Sequence, residues 1–275
     1  MSTSRFPLVD IELSRRIERA EANANRRFVE SRARHEPHVE ACWVEVGGAY
    51  AMFDGVGSPV TQTFGLSLFE PATVETLDAI EAFFTARGSE VFHEISPLAD
   101  LATLSLLSDR GYRPCELTSI LFQPLPAEPL IVVARPVVTA RLSEPAEVER
   151  WAELARAGWS DFPEFREFMS SFTTIAANTE DAHRFMAFDG STPIATGSLS
   201  IHEGVAVLAG ASTVPEARGR GAQRRLLEAR LAFAASRGCT LAMMGALPGS
   251  RSQLNAERSG FRIAYTRIKW ARTRS

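Results

Sequence analysis

Val214-Pro215-Glu216-Ala217-Arg218-Gly219-Arg220-Gly221-Ala222-Gln223-Arg224-Arg225-Leu226-Leu227 joins two segments of different periodicity. Before it, Val205 to Val214 is an apolar run of strand length; after it, Leu226 to Arg237 reads as an amphipathic helix. A glycine-containing turn between a strand and a helix leaves backbone N–H groups pointing outward at the positive end of the helix dipole. That geometry holds a phosphate or pyrophosphate. Gly219 and Gly221 remove Cβ atoms where a ligand must approach the main chain, and Arg218, Arg220, Arg224 and Arg225 add positive charge. The turn is read as an anion site.

Working outward, the chain is 275 residues long, enough for two domains with separate cores. Hydrophobic residues make up 45% and charged residues 23%, as in a globular protein and unlike a disordered one. The net charge of −3 supplies no global basic field for nucleic acid or an anionic membrane. Lys269 is the only lysine, so no other residue offers a lysine nucleophile; with the alanine content, this arginine bias reads as a GC-rich bacterial coding sequence. No apolar run approaches the roughly 20 residues of a membrane span. Met1 to Pro7 lacks the apolar core of a signal peptide, which points to a cytoplasmic protein. Cys42, Cys115 and Cys239 are odd in number and far apart, and are read as buried small hydrophobes in a reducing compartment. The five histidines lack the spaced partners of a metal site.

The chain opens with an amphipathic helix over 9–34. Short strands follow at 41–46, 50–53 and 61–68, then a helix at 74–86 stopped by Gly88, a strand at 90–95, a helix at 101–108 and a strand at 114–122. Gln123 to Pro136 carries Pro124, Pro126, Pro129 and Pro136 and marks a boundary. Beyond it come a strand at 137–141, helices at 145–157 and 163–176, and strands at 184–188, 194–202 and 205–214. The turn and its helix follow, then a strand at 240–245, a helix at 252–258 and a strand at 262–270.

The second half echoes the first. Ala86-Arg87-Gly88 matches Ser236-Arg237-Gly238, and Asp109-Arg110-Gly111-Tyr112 matches Arg258-Ser259-Gly260-Phe261, both about 150 residues apart. Two matches at one spacing point to a duplicated domain of mixed α/β pattern.

The order strand, Val-Pro-Glu-x-Arg-Gly-x-Gly, helix ending in Arg-Gly, strand, Gly-Phe resembles the GCN5-related N-acetyltransferases, over about residues 137–271. The family hallmark Arg/Gln-x-x-Gly-x-Gly/Ala is met at Arg218 and Gly221, with Gln223 departing at its last position. The resemblance implies two tandem acetyltransferase-like domains, each a mixed, mostly antiparallel sheet flanked by helices. Residues 1–128 would be a degenerate copy with the N-terminal helix and 129–275 the domain that binds acetyl-coenzyme A. Pantetheine would lie along Ser212, Thr213 and Val214, and the pyrophosphate on Arg218, Gly219, Arg220, Gly221, Ala222, Gln223 and Arg224. In the first half the equivalent turn is Phe69-Glu70-Pro71-Ala72-Thr73-Val74-Glu75, without glycine or arginine, so no cofactor is expected there.

The implied reaction moves an acetyl group from coenzyme A to the amine of a small molecule or peptide. The family's usual leaving-group acid, a tyrosine five residues before the Phe of Gly-Phe, is Ala256 here, and its usual asparagine falls on Gly249. Glu203 and Tyr265 are weak catalytic candidates. Trp159, Asp161 and Phe162 are candidates for the acceptor site, where an aromatic and acidic loop would suit a cationic amine. A non-catalytic acyl-coenzyme A-binding module is the competing reading, and a homodimer stays open. A P-loop is disfavoured, because Ala222-Gln223 follows Gly221 where Lys-Ser/Thr would stand.

Overall fold

The computed structural model describes residues 6–126 and 137–272. The boundary read at 123–136 therefore lies, from 127 on, outside the described residues. In chain order the helices are α1 (Ile11–His35), α2 (Val74–Thr85), α3 (Ala102–Asp109), α4 (Val148–Ala157), α5 (Arg166–Ala177), α6 (Ala222–Ser236) and α7 (Arg251–Arg258). The strands are β1 (Cys42–Val46), β2 (Ala49–Phe53), β3 (Gln62–Phe64), β4 (Val91–Ile95), β5 (Arg113–Pro124), β6 (Val138–Leu142), β7 (Ala182–Asp189), β8 (Thr192–His202), β9 (Val205–Thr213), β10 (Leu241–Ala246) and β11 (Arg262–Arg272). Every element read from the sequence is present, with two shifts. The third strand stops at Phe64, because Gly65 (φ 77°) and Ser67 (φ 59°) turn the chain. The helix expected from Leu226 begins at Ala222, directly after Gly221 in left-handed backbone.

The chain divides into two units. One, here the N-terminal unit, comprises 7–121, 245–253 and 262–272; the other, the C-terminal unit, comprises Phe6, 122–126, 137–244 and 254–261. The sequence reading had kept the last strand with residues 129–261. Its hydrogen bonds say otherwise: β11 runs antiparallel to β4, from Ile268 opposite Ile95 to Arg272 opposite Val91.

The N-terminal unit carries strands in the order β1-β2-β3-β4-β11-β5, with β3 and β4 parallel and β1–β2, β2–β3 and β4–β11 antiparallel. Leu77, Ile80 and Phe84, spaced at three and four residues on α2, are buried against Ala49, Ala51, Val91 and Ile95. Asp10 caps α1, accepting the Leu13 N–H at 2.9 Å, and α1 sends Leu13, Ile17 and Ala20 inward as their spacing requires.

The C-terminal unit has the order β10-β9-β8-β7-β6, antiparallel except for β9 and β10. Helices cover both faces. On β7, Phe185 meets Phe233 of α6, while the next residue, Met186, is buried with Trp151 and Ala155 of α4. The fold is mixed α/β with a mostly antiparallel sheet flanked by helices.

Candidate functional site

The turn between β9 and α6 has the geometry read from its sequence. Gly219 (φ 80°) and Gly221 (φ 84°) both adopt left-handed backbone, and a Cβ on either would meet nothing within 4 Å. Gly221 is the N-cap of α6, and no side chain caps that end. Arg225 N–H reaches the Gly221 carbonyl at 3.2 Å, but among the described residues the N–H groups of residues 219–224 have no acceptor. The result is a row of outward donors at the positive end of a fifteen-residue helix.

The arginines serve this row less directly than expected. Arg218 donates to Asp161 at 2.5 Å and to the Gly158 carbonyl at 3.0 Å, which ties the anion turn to the α4–α5 loop. Arg220 donates to Asp189 at 3.0 Å, and Arg224 pairs with Glu228 at 2.9 Å. Carboxylates thus offset these charges, and the main-chain N–H groups of the turn are the donors left unoffset. Gln223 folds its amide back onto the Ser212 carbonyl (3.1 Å) and the Thr213 hydroxyl (2.7 Å), lacing the first turn of α6 to the end of β9. Ser212 is buried, with its hydroxyl donated to the Ala155 carbonyl, and Val214 N–H donates to the Ile194 carbonyl.

The sequence reading missed the middle of β9. Thr196 pairs with Ser212 and Ser198 with Ala209, so Gly210 and Ala211 on β9 oppose Gly197 alone. This bulge, with Gly210 at φ 60°, leaves Ala209, Gly210 and Ala211 exposed inside a central strand. On its other edge β9 pairs with β10 only from Val205 to Val207, so the strands part just before the bulge. A glycine between alanines in an apolar strand was the available signal.

Arg230 of α6 is wedged behind the bulge. Its guanidinium occupies the space that a Cβ on Gly197 would need, and it donates to the carbonyls of Ser198 (3.2 Å), Ala209 (3.3 Å) and Leu226 (3.2 Å). Burial without a carboxylate partner pulls its pKa down to about 10. The cation therefore works as a donor to carbonyls on both bulged strands.

Beside the anion turn, α4, α5 and their loop enclose a cavity of about 330 Å³. Trp159 and Phe162, two of the residues proposed from the sequence for the acceptor, line it. Asp161 does not, because its carboxylate is committed to Arg218. Gly158 holds the end of α4 against β9, since any Cβ there would strike the Ser212 hydroxyl.

The catalytic candidates lie elsewhere. Glu203 sits in the β8–β9 hairpin turn with 80% of its side chain exposed. It is at the opposite end of β9 from the anion turn, about 30 Å along the strand. Tyr265 belongs to the N-terminal unit, where its buried hydroxyl donates to Glu18 at 2.8 Å and receives the Ser14 hydroxyl at 3.3 Å. Burial raises its pKa well above the usual range. Lys269 pairs with Glu94 and Glu116. Ala256 is buried in α7. Of the cysteines only Cys239 is buried, Cys115 being exposed and Cys42 intermediate. Among the described residues no cluster of His, Cys, Asp or Glu could hold a metal, and no helix is long and apolar enough to cross a membrane.

The model of the acetyltransferase (GNAT) family matches residues 148–261. This segment belongs to the GNAT family. A search of curated proteins gives no match. Among solved structures, the chain is similar to a GCN5-related N-acetyltransferase from Kribbella flavida, at 20% identity over 95% of this chain and 96% of that one, with a TM-score of 0.64. It is also similar to a GCN5-related N-acetyltransferase from Sphaerobacter thermophilus, at 18% identity over 77% and 71% of the two chains, TM-score 0.53. A third is a tandem GNAT protein from the clavulanic acid biosynthesis pathway, at 12% identity over 84% and 80%, TM-score 0.56. At these identities the likeness concerns the fold. In the GNAT segment, the matched residues contain the anion turn, the bulge and the cavity.

Proposed function

We propose that this protein is an N-acyltransferase that moves an acetyl group from acetyl-coenzyme A to the amine of an acceptor. The observation that carries the reading is the row of acceptor-free N–H groups at 219–224, adjoining a strand whose exposed bulge is left unpaired beyond Val207. Such donors suit a pyrophosphate, and an unpaired strand edge suits the amides of a pantetheine arm. Acetyl-coenzyme A supplies an activated thioester. The residues of this chain supply the rest: the turn holds the anionic end, the bulge presents its main chain to the pantetheine arm, and the α4–α5 loop, tied to the turn through Arg218, carries the cavity for the acceptor.

The N-terminal stretch fits a degenerate copy. The start of α2 is filled from within the chain, since Thr73 accepts the Thr76 N–H at 3.2 Å. A hydrogen bond from its own backbone holds the Glu75 carboxyl below its usual pKa. A second carboxylate, Glu70, adds repulsion, so an external anion is not accommodated there.

One observation favours the non-catalytic reading: Gly249 and the buried Ala256 put no titratable group where the family's acid stands. Calorimetry with coenzyme A, followed by thiol release from acetyl-coenzyme A over an amine panel, separates the two. Binding with turnover supports the transferase, binding without turnover supports the module, and no binding overturns both.

A further inference from the structure

The cavity beside the anion turn has a chemistry of its own. Its walls are Trp159, Phe162 and Met169, and its charged groups are Glu153, Arg156 and Arg166. Trp159 and Phe162 are 40% and 44% exposed with ring centroids 5.9 Å apart, so two large aromatic surfaces stand open to a ligand rather than to the core. Among the described residues none of the three charged groups has an ion-pair partner, and the Arg156 Nε is buried with no acceptor. The half-buried Arg156 side chain lines the cavity, so an anionic ligand would meet the guanidinium at the cavity wall. Asp161, the carboxylate that would have drawn a polyamine to this loop, is spent on Arg218.

We infer that the acceptor carries a carboxylate beside its amine and an apolar or aromatic side group, as a free apolar α-amino acid does. This rests on the acyl-transfer reading above. The carboxylate meets the two guanidiniums, which a neutral or polycationic amine would leave unpaired. The amine is complemented by Glu153, and the side group by Trp159, Phe162 and Met169. A volume of about 330 Å³ suits a molecule of amino-acid size. In the reaction a bond forms from the amine nitrogen to the acetyl carbon and the carbon–sulfur bond breaks. One amine proton ends on the released thiol, giving an N-acetyl amino acid and coenzyme A.

The test compares phenylalanine, phenethylamine, phenylalaninamide and spermidine as acceptors for the full-length protein, following thiol release. Phenylalanine should exceed phenethylamine and phenylalaninamide at least tenfold in kcat/KM. Arg156→Gln should raise the KM for phenylalanine about tenfold and bring that ratio near one, while the calorimetric affinity for coenzyme A stays unchanged. Equal use of phenethylamine and phenylalanine, or a preference for spermidine, overturns the inference and leaves the transferase reading standing. If no acceptor is turned over, binding decides. Quenching of Trp159 fluorescence, with Trp159→Phe as control, should show N-acetylphenylalanine bound and the binding weakened by Arg156→Gln; no quenching overturns the assignment.

Discussion

At the scale of one residue, Gly221 separates the demands of folding from those of the ligand. Its φ of 84° disfavours any side chain by about 1 kcal/mol, yet the space its Cβ would enter is open. Gly221→Glu should therefore leave a folded protein with a slightly lower melting temperature. It should weaken coenzyme A binding on the order of 100-fold, about 2.7 kcal/mol, by filling and charging the ligand's space. Unchanged affinity by calorimetry would remove the anion site from the turn. His93 makes a different case. It is buried on β4 against the Tyr112 ring, and neither ring nitrogen has a hydrogen-bond partner among the described residues. Burial lowers its pKa from 6.5 to about 3. The folded state then holds the ring neutral while the unfolded chain takes up a proton below pH 6.5. The histidine's share of stability is complete above pH 6.5 and is lost as pH falls towards 3, on the order of several kcal/mol. His93→Phe should flatten that part of the acid unfolding curve relative to wild type. Parallel curves for the two proteins would refute the neutral buried ring.

At the scale of the element, the β8–β9 bulge and α6 form one device, with Arg230 as its pin. Arg230→Met leaves the Ser198, Ala209 and Leu226 carbonyls short of a donor, which costs about 1–3 kcal/mol. If the guanidinium holds the bulge, the same change should also weaken coenzyme A binding several-fold, as calorimetry would show. Lost stability with unaltered affinity would mean that the bulge stands without it. This device was only half legible in the sequence. The strand, glycine turn and helix could be read because periodicity and left-handed turns are local properties. The bulge could not, since it is a mismatch in register between two strands, and only the Ala209-Gly210-Ala211 stretch hinted at it. Arg230 carries no signal in the sequence beyond its place on an amphipathic helix; what makes room for it is the missing Cβ of Gly197, a residue on β8. The position of Glu203 has a related reason. Closeness in sequence to β9 puts it at the end of the strand away from the glycine turn.

At the scale of the whole molecule, the last strand decides what can fold alone. The proline-rich stretch suggested a cut near residue 128, because a composition shift is visible in sequence and long-range strand pairing is not. Within the N-terminal unit, β11 lies between β4 and β5, and Arg267 brings a buried cation into a nest of carboxylates. It donates to Glu94 at 2.8 Å, to Glu18 at 3.0 Å and to Glu21 at 2.6 Å. Burial raises the pKa of Glu18, with Arg267 as the main opposing influence. Without that cation, Glu18 would be a buried charge left with the Tyr265 hydroxyl alone and Glu94 would keep only Lys269, a loss of about 3–5 kcal/mol when one member of such a group is removed. That is a large share of the ~5–15 kcal/mol that holds a domain together. A fragment of residues 1–128 lacks both the strand and the arginine. It should give no cooperative thermal transition and no dispersed amide spectrum. Full-length Arg267→Met, which keeps the strand, should still fold but melt markedly lower. A stably folded 1–128 fragment would show that α1 and β4 can satisfy their own carboxylates, and that β11 is an addition to the unit rather than part of its core.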